Sequence, residues 1–212
     1  MNAIPPLLDH LVLATPDLGA TVADFARRTG GSNRRPAGAP RAGYPQSPGG
    51  AGRPGAILEI CGPPDPEQPE PDGPRPFGVD RLAGPSVLTW AISPPDLDAA
   101  VAEARARGHD PGPVRPMSRR TPDGTVLRWR LTDGGPGEAS GLVPFLIDWG
   151  DSRHPAASGL PVTPLLAVSA SAPDPEEVRG RLAVLSTSLV LGTGPAALSF
   201  HRRLAERTGR LA

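Results

Sequence analysis

Two residues in separate apolar runs carry donors suited to acid–base or metal chemistry. His10 lies in Asp9-His10-Leu11-Val12-Leu13, and Glu59 lies in Ile57-Leu58-Glu59-Ile60-Cys61. A carboxylate inside an apolar strand is costly unless it is paired, bound to metal or facing a wet cavity. An imidazole and a carboxylate on neighbouring strands make half of a divalent-metal site. His10 and Glu59 are therefore the candidate metal ligands, and Glu59 is also the candidate catalytic group. The competing reading is a hydrogen-bonded core histidine and a Glu59 paired with an arginine.

Five further residues could touch a substrate. In Val126-Leu127-Arg128-Trp129-Arg130-Leu131 the two arginines alternate with Leu127, Trp129 and Leu131. If the apolar set packs under helices, Arg128 and Arg130 face a cleft, where a guanidinium can grip a carboxylate or phosphate; the competing readings are an exposed sheet face with solvated guanidinium heads, or Arg128 neutralising Glu59 or Asp148. Asp148 ends the apolar run Phe145-Leu146-Ile147, and His154 follows in Asp151-Ser152-Arg153-His154-Pro155. Either could reach a cleft mouth; the competing readings are an arginine partner for Asp148 and a solvated loop position for His154. Trp90 occupies the slot that Leu11 holds in the first strand, which aims it at a helix; a register slip of one would turn it into the cleft.

The elements that must position these residues are written three times. The segments begin at Leu11, Leu88 and Leu165, and each is a short apolar run, then Pro-Asp, then an amphipathic stretch. Asp17, Asp96 and Asp174 are 79 and 78 positions apart. Such spacing predicts repeated supersecondary units. The apolar runs suit strands. Thr15-Pro16-Asp17 offers a capping hydroxyl, a proline at the first helical position and an acid in the first turn. Leu18, Val22, Phe25, then Leu97, Val101, Ala104, then Val178, Leu182, Leu185 have helical spacing. Gly30 and Gly108 are helix stops. Gly30 to Gly55 reads as a loop, and further strands are expected at 56–61, 126–131 and 143–149.

Composition narrows the function classes. The 22 basic and 22 acidic residues cancel, which argues against nucleic acid or an anionic membrane as the main partner. All 22 basic residues other than histidine are arginine. The 30 prolines and 26 glycines concentrate in Pro36–Gly55 and Pro63–Pro85, expected to be long loops. Cys61 is the only cysteine, so no intramolecular disulfide forms. No apolar run is long enough to span a bilayer, and the N-terminus lacks a signal-peptide pattern, so a cytoplasmic location is expected. No P-loop, dinucleotide fingerprint, nucleophile elbow or CxxC occurs. His109 and His201 read as surface residues.

Taken in order, Asp9 to Ala14 with Pro16-Asp17-Leu18, Leu58 to Pro63, Met117 to Arg120, Pro122-Asp123-Gly124, Leu127 to Arg130 and Pro144 to Gly150 resemble the vicinal-oxygen-chelate superfamily. More narrowly they resemble glyoxalase-like proteins with an extra C-terminal half-repeat. The resemblance covers about residues 7 to 155. It implies an α+β fold of paired βαβββ modules, about 7–63 and 86–150, within a domain at 1–155. The modules form a curved, cupped mixed sheet with helices on the outer face, and a C-terminal partial βαβ repeat at 156–212 packs on the core.

The resemblance also implies a function. In metal-dependent members a divalent ion (Zn, Ni, Fe or Mn) polarises vicinal oxygens in lyase, isomerase or dioxygenase reactions. His10 matches the first-strand ligand and Glu59 the fourth-strand ligand. Thr89 stands where the second module's histidine would be, and Ile147 or Asp148 takes the last position. Metal-free members bind drugs or metabolites in the same cleft. The alternative is thus a sequestering protein that holds an anionic ligand with Arg128 and Arg130. A small-molecule partner and a homodimer are expected; nucleic acid and membrane are not.

Overall fold

Each Pro-Asp signal starts a helix on its aspartate. The computed structural model describes residues 4–29, 41–43, 55–63, 81–121, 124–133, 140–158 and 165–202. In it α1 spans Leu18–Thr29, α2 Leu97–Ala106 and α3 Pro175–Val184. Asp17 accepts the Ala20 amide at 2.8 Å, Asp96 the Ala99 amide at 2.9 Å, and Asp174 the Glu176 and Glu177 amides at 3.0 Å. These are amides that a helix N-terminus otherwise leaves open. The first cap is therefore Asp17 rather than the Thr15 hydroxyl, which accepts the Asp17 amide and meets the Thr21 hydroxyl. Gly108, at φ 83°, ends α2, and the His109 amide reaches back to the Ala104 carbonyl. This closure draws His109 inward, so it is buried rather than on the surface, whereas His201 is exposed. Gly30 lies outside the described residues.

The strands form two sheets. β1 (Leu8–Ala14), β2 (Arg41–Gly43), β3 (Ile57–Cys61), β4 (Ser86–Ile92), β5 (Val114–Arg120), β6 (Val126–Thr132) and β7 (Phe145–Asp148) make a mixed sheet in the order β2-β3-β1-β4-β7-β6-β5. β8 (Leu165–Ala172), β9 (Val190–Thr193) and β10 (Ala197–Arg202) make a second, in the order β10-β8-β9. The architecture is α+β, with the large sheet curled into a half-barrel. β2 lies inside a stretch expected to be loop. β5 has a polar sequence with Pro116 in it, which an edge strand tolerates because one row of its amides needs no partner. Most of the Pro-rich stretch at 63–85 lies outside the described residues. No helix among the described residues is long and apolar enough to cross a membrane.

One face of the large sheet packs against the helices. Leu11, Leu13, Leu58, Ile60, Trp90, Ile92 and Leu146 join Leu97, Val101 and Ala104 of α2 in a core. That core continues through Val178 and Leu182 of α3 to Val168 and Leu198 of the small sheet. The C-terminal segment therefore builds its own sheet and shares the core, rather than adding strands to the large sheet. The other, open face carries His10, Val12, Glu59, Thr89 and Ala91, as the pairings Val12↔Glu59, His10↔Ala91 and Val12↔Thr89 require.

The β1–β4 pairing is interrupted twice. Leu8 faces Ile92 and His10 faces Ala91, which leaves Asp9 as an extra residue. Val12 faces Thr89 and Leu13 faces Val87, which leaves Leu88 extra on the other strand. A bulge lets two consecutive residues lean to the same side and bends the strand. The bulged Leu88 carbonyl is met by Gly141, where a Cβ would lie 1.7 Å from that oxygen; φ there is +69°, so glycine is required. This contact seats the segment before β7 against β4, and the Trp90 indole N–H donates to the Leu142 carbonyl at 2.9 Å.

Candidate functional site

The bulge at Asp9 creates the polar centre of the molecule. With Asp9 and His10 leaning together, His10 Nδ1–H donates to Asp9 Oδ1 at 2.7 Å. The Trp149 indole N–H donates to Asp9 Oδ2 at 3.2 Å, and His154 Nε2–H donates to the same oxygen at 3.1 Å. Asp9 and His10 are both buried, and the His154 side chain is only 11% exposed. Burial by itself would push the Asp9 carboxyl up. Hydrogen bonds and charge from His10 and His154 outweigh it and hold the group well below the usual carboxylate range. Asp9 is thus an ionised carboxylate in a dry setting, which is tolerable only because three donors reach it.

Glu59 completes the row. Its carboxylate lies 3.6 Å from His10 Nε2, with the Glu59 side chain 22% exposed. Since Nδ1 bonds to Asp9, the other ring nitrogen, Nε2, faces Glu59 and the open face. Beside this pair the open face is apolar. Phe145 meets the His10 ring edge-on at a centroid distance of 5.3 Å. Ala91, Ile147 and Trp149 form a buried cluster with Trp129, Leu131 and Phe145 packed on it. A cavity of about 640 Å³ is lined by Thr89, Leu131 and Phe145 of this face together with Ser86, Ser140 and Ala197, among others. That volume suits a small molecule.

The expected substrate-binding residues are distributed differently. Trp129 and Leu131 lie on the open face, so the alternation turns Arg128 and Arg130 to the helix side, the reverse of the expectation. Arg130 is held there by Asp98 at the start of α2, at 2.9 Å, and by Asp148, at 2.8 Å. Asp148, followed by Asp98, pushes the Arg130 guanidinium up; Arg130 and the Gly150 amide hold the Asp148 carboxyl below its ordinary range. The Arg128 side chain is exposed, and its amide donates to the Ser152 hydroxyl. Trp90 is fully buried on the helix side and does not line the cleft. His154 is not a solvated loop residue. It anchors Asp9, and with Asp148 and Trp149 it borders a second cavity of about 350 Å³.

The metal expectation meets a donor shortage. β1 and β4 are related by a local two-fold through the facing pair Leu11 and Trp90, which sets Thr89 in the place of His10. The parallel pairs Val12↔Glu59 and Ala91↔Phe145 then set Phe145 in the place of Glu59, rather than Ile147 or Asp148. Neither Thr89 nor Phe145 offers an imidazole or a carboxylate. Among the described residues no three His, Cys, Asp or Glu side chains are grouped to hold an ion. Protein-built divalent sites use three or four protein ligands. The two donors His10 and Glu59 therefore do not by themselves fit a resident ion, and no step below runs through one.

Asp9 and Trp149 carry the site but have no role in the sequence reading. Strict alternation would place Asp9 opposite His10, and only the bulge brings them together. The available signal was an acid directly before the histidine in an otherwise apolar strand.

A family model described as a glyoxalase-like domain matches residues 8–186. Among solved structures the chain is similar to methylmalonyl-CoA epimerase in complex with methylmalonyl-CoA and NH4+, at 23% identity over 70% of this chain and 97% of that chain, TM-score 0.42. It is also similar to methylmalonyl-CoA epimerase from Mycobacterium tuberculosis, at 20% identity over 74% and 95%, TM-score 0.37. A hypothetical protein from Staphylococcus aureus matches at 11% identity over 84% of this chain and 74% of that chain, TM-score 0.55, which shows a shared fold. No curated protein matches the chain.

Proposed function

This chain belongs to the glyoxalase-like domain family, and from that premise we propose that it transforms a small carbonyl-bearing molecule by proton transfer on the open face of its large sheet. The observation that carries this reading is the Asp9–His10 hydrogen bond of 2.7 Å, which leaves His10 Nε2 directed at Glu59, 3.6 Å away, beside an apolar floor. His10 Nε2 accepts a proton from carbon next to the carbonyl and later returns it. The ionised Asp9 stabilises the imidazolium that forms in between. Glu59, at the wet end of the pair, orients the carbonyl compound or takes part in the same proton transfer. Phe145, Leu131 and Trp129 hold the rest of the molecule by apolar contact. An isomerase or a lyase fits this chemistry.

The test is proton exchange. A panel of 2-oxo acids, 3-oxo acids and hydroxyketones is incubated with the full chain in D2O, and loss of the α-proton signal is followed by NMR. Wild type is expected to accelerate exchange for one class. His10→Ala is expected to lose roughly 10²–10⁴-fold of that rate, the range for a general base. Exchange no faster than buffer across the panel, or equal exchange by His10→Ala, overturns the reading. Binding without exchange leaves the sequestering alternative. Tight retention of one divalent ion per chain, with exchange that depends on it, favours the metal-assisted form.

A further inference from the structure

We infer that His154 is a positioning residue for His10: acting through Asp9, it fixes which nitrogen of the His10 ring faces the open face. The inference rests on the proton-transfer reading for its functional meaning, though not for its geometry. The loop after β7 is locally built to present this imidazole. The Ala156 amide donates to His154 Nδ1 at 3.1 Å, and the Ala157 amide donates to the His154 carbonyl at 2.9 Å. With Nδ1 acting as an acceptor, the His154 proton sits on Nε2, which makes Nε2 the donor to Asp9. Trp149 meets the His154 ring edge-on at a centroid distance of 5.4 Å and donates its own N–H to Asp9.

Two donors therefore converge on Asp9 Oδ2, the Trp149 N–H also lying 3.4 Å from Oδ1, while Oδ1 accepts from His10 Nδ1 at 2.7 Å. A carboxylate held by donors on both oxygens does not rotate, so a neutral His10 ring has one low-energy tautomer, Nδ1–H. His154 and Asp9 both border the cavity of about 350 Å³, and the His154 ring fills space beside Asp9 that water could otherwise take. Without the ring, water reaches Asp9 from that side, solvates it, and releases the constraint on His10. The arrangement joins residues 145 positions apart, and nothing in the local sequence of either partner announces it.

The experiment reads the tautomer directly, without a substrate. Long-range ¹H–¹⁵N spectra of the histidine rings in the labelled full chain, at mildly alkaline pH, report which ring nitrogen carries the proton. Wild-type His10 is expected to show Nδ1–H alone. His154→Phe keeps a flat ring and removes the donor; it is expected to give a tautomer mixture at His10. His154→Gln retains an N–H that can reach Asp9 and is expected to restore the Nδ1–H form. Should His154→Phe fail to fold, the wild-type and His154→Gln spectra still decide. An Nε2–H tautomer in wild type overturns the inference. So does a folded His154→Phe with the wild-type pattern, or a folded His154→Gln that has lost it. If exchange chemistry is absent while the tautomer results hold, the proposed function falls and the positioning role stands.

Discussion

β1 and β4 are matched backbones with opposite chemistry. About the two-fold through Leu11 and Trp90, His10 corresponds to Thr89, Glu59 to Phe145, and the bulged Asp9 to the bulged Leu88. At one bulge a carboxylate gathers His10, His154 and Trp149. At the other a leucine packs its backbone carbonyl closely against Gly141 and lines the 640 Å³ cavity. The difference shows that the backbone supplies two equivalent seats while side chains commit one to polarity and the other to apolar contact. A single open face thus has a polar corner and an apolar floor.

The comparison breaks most severely at Asp9. Asp9→Ala strips the acceptor from three buried donors and is expected to lower stability by about 3–5 kcal/mol, the cost of breaking a buried charged network. Leu88→Ala, at a half-buried position, is expected to cost about 1–2 kcal/mol, below the range for a fully buried leucine. Denaturant titration of both variants checks this, and equal losses would deny the asymmetry. Next in size, the double variant T89H/F145E restores the missing donors at the two-fold positions. It is expected to bind Zn²⁺ or Ni²⁺ at least about tenfold more tightly than wild type, about 1.4 kcal/mol, as read by calorimetry. No gain would mean that the two halves are less alike than the register implies.

Acid should expose the same asymmetry. Asp9 has a folded-state value depressed below its unfolded one, so its contribution is present above the ordinary carboxylate range and is lost as pH falls through the folded value. The unfolded chain takes up this proton near pH ~4, so stability declines with acidification from there. Asp9→Asn is expected to flatten that decline, and unfolding curves from neutral pH to about pH 3 would measure it. Smallest of all is Arg130→Gln. Its guanidinium is occupied by Asp98 and Asp148 on the helix side, so ligand binding should be unchanged and the melting temperature should fall only slightly. A large loss of binding would return Arg130 to the cleft.

Much of the scaffold was legible because its signals are local. The Asp caps at 17, 96 and 174, the buried stripes of α2 and α3 and the strands at β1, β3, β4, β6 and β7 follow from residue type and period. β2 and β5 were not legible. β2 is three residues in Gly/Pro-rich sequence, and β5 owes its conformation to pairing with β6 rather than to its own alternation. Periodicity divides β6 into two sets, Arg128 with Arg130 and Trp129 with Leu131, without saying which set meets the helices. The answer depended on Trp129 and Leu131 meeting Ala91 and Ile147.

The sequence by itself determined the helix starts, the apolar strands that precede them, and the presence of one histidine and one carboxylate within two of the apolar strands. Those features depend on interactions within a few residues. The tertiary structure alone decided that Asp9 joins His10, that His154 and Trp149 anchor Asp9, and that Phe145 rather than an acid stands opposite Glu59's place. Each of these rests on a bulge or on a register between distant strands, where a shift of one residue exchanges the two faces of a sheet.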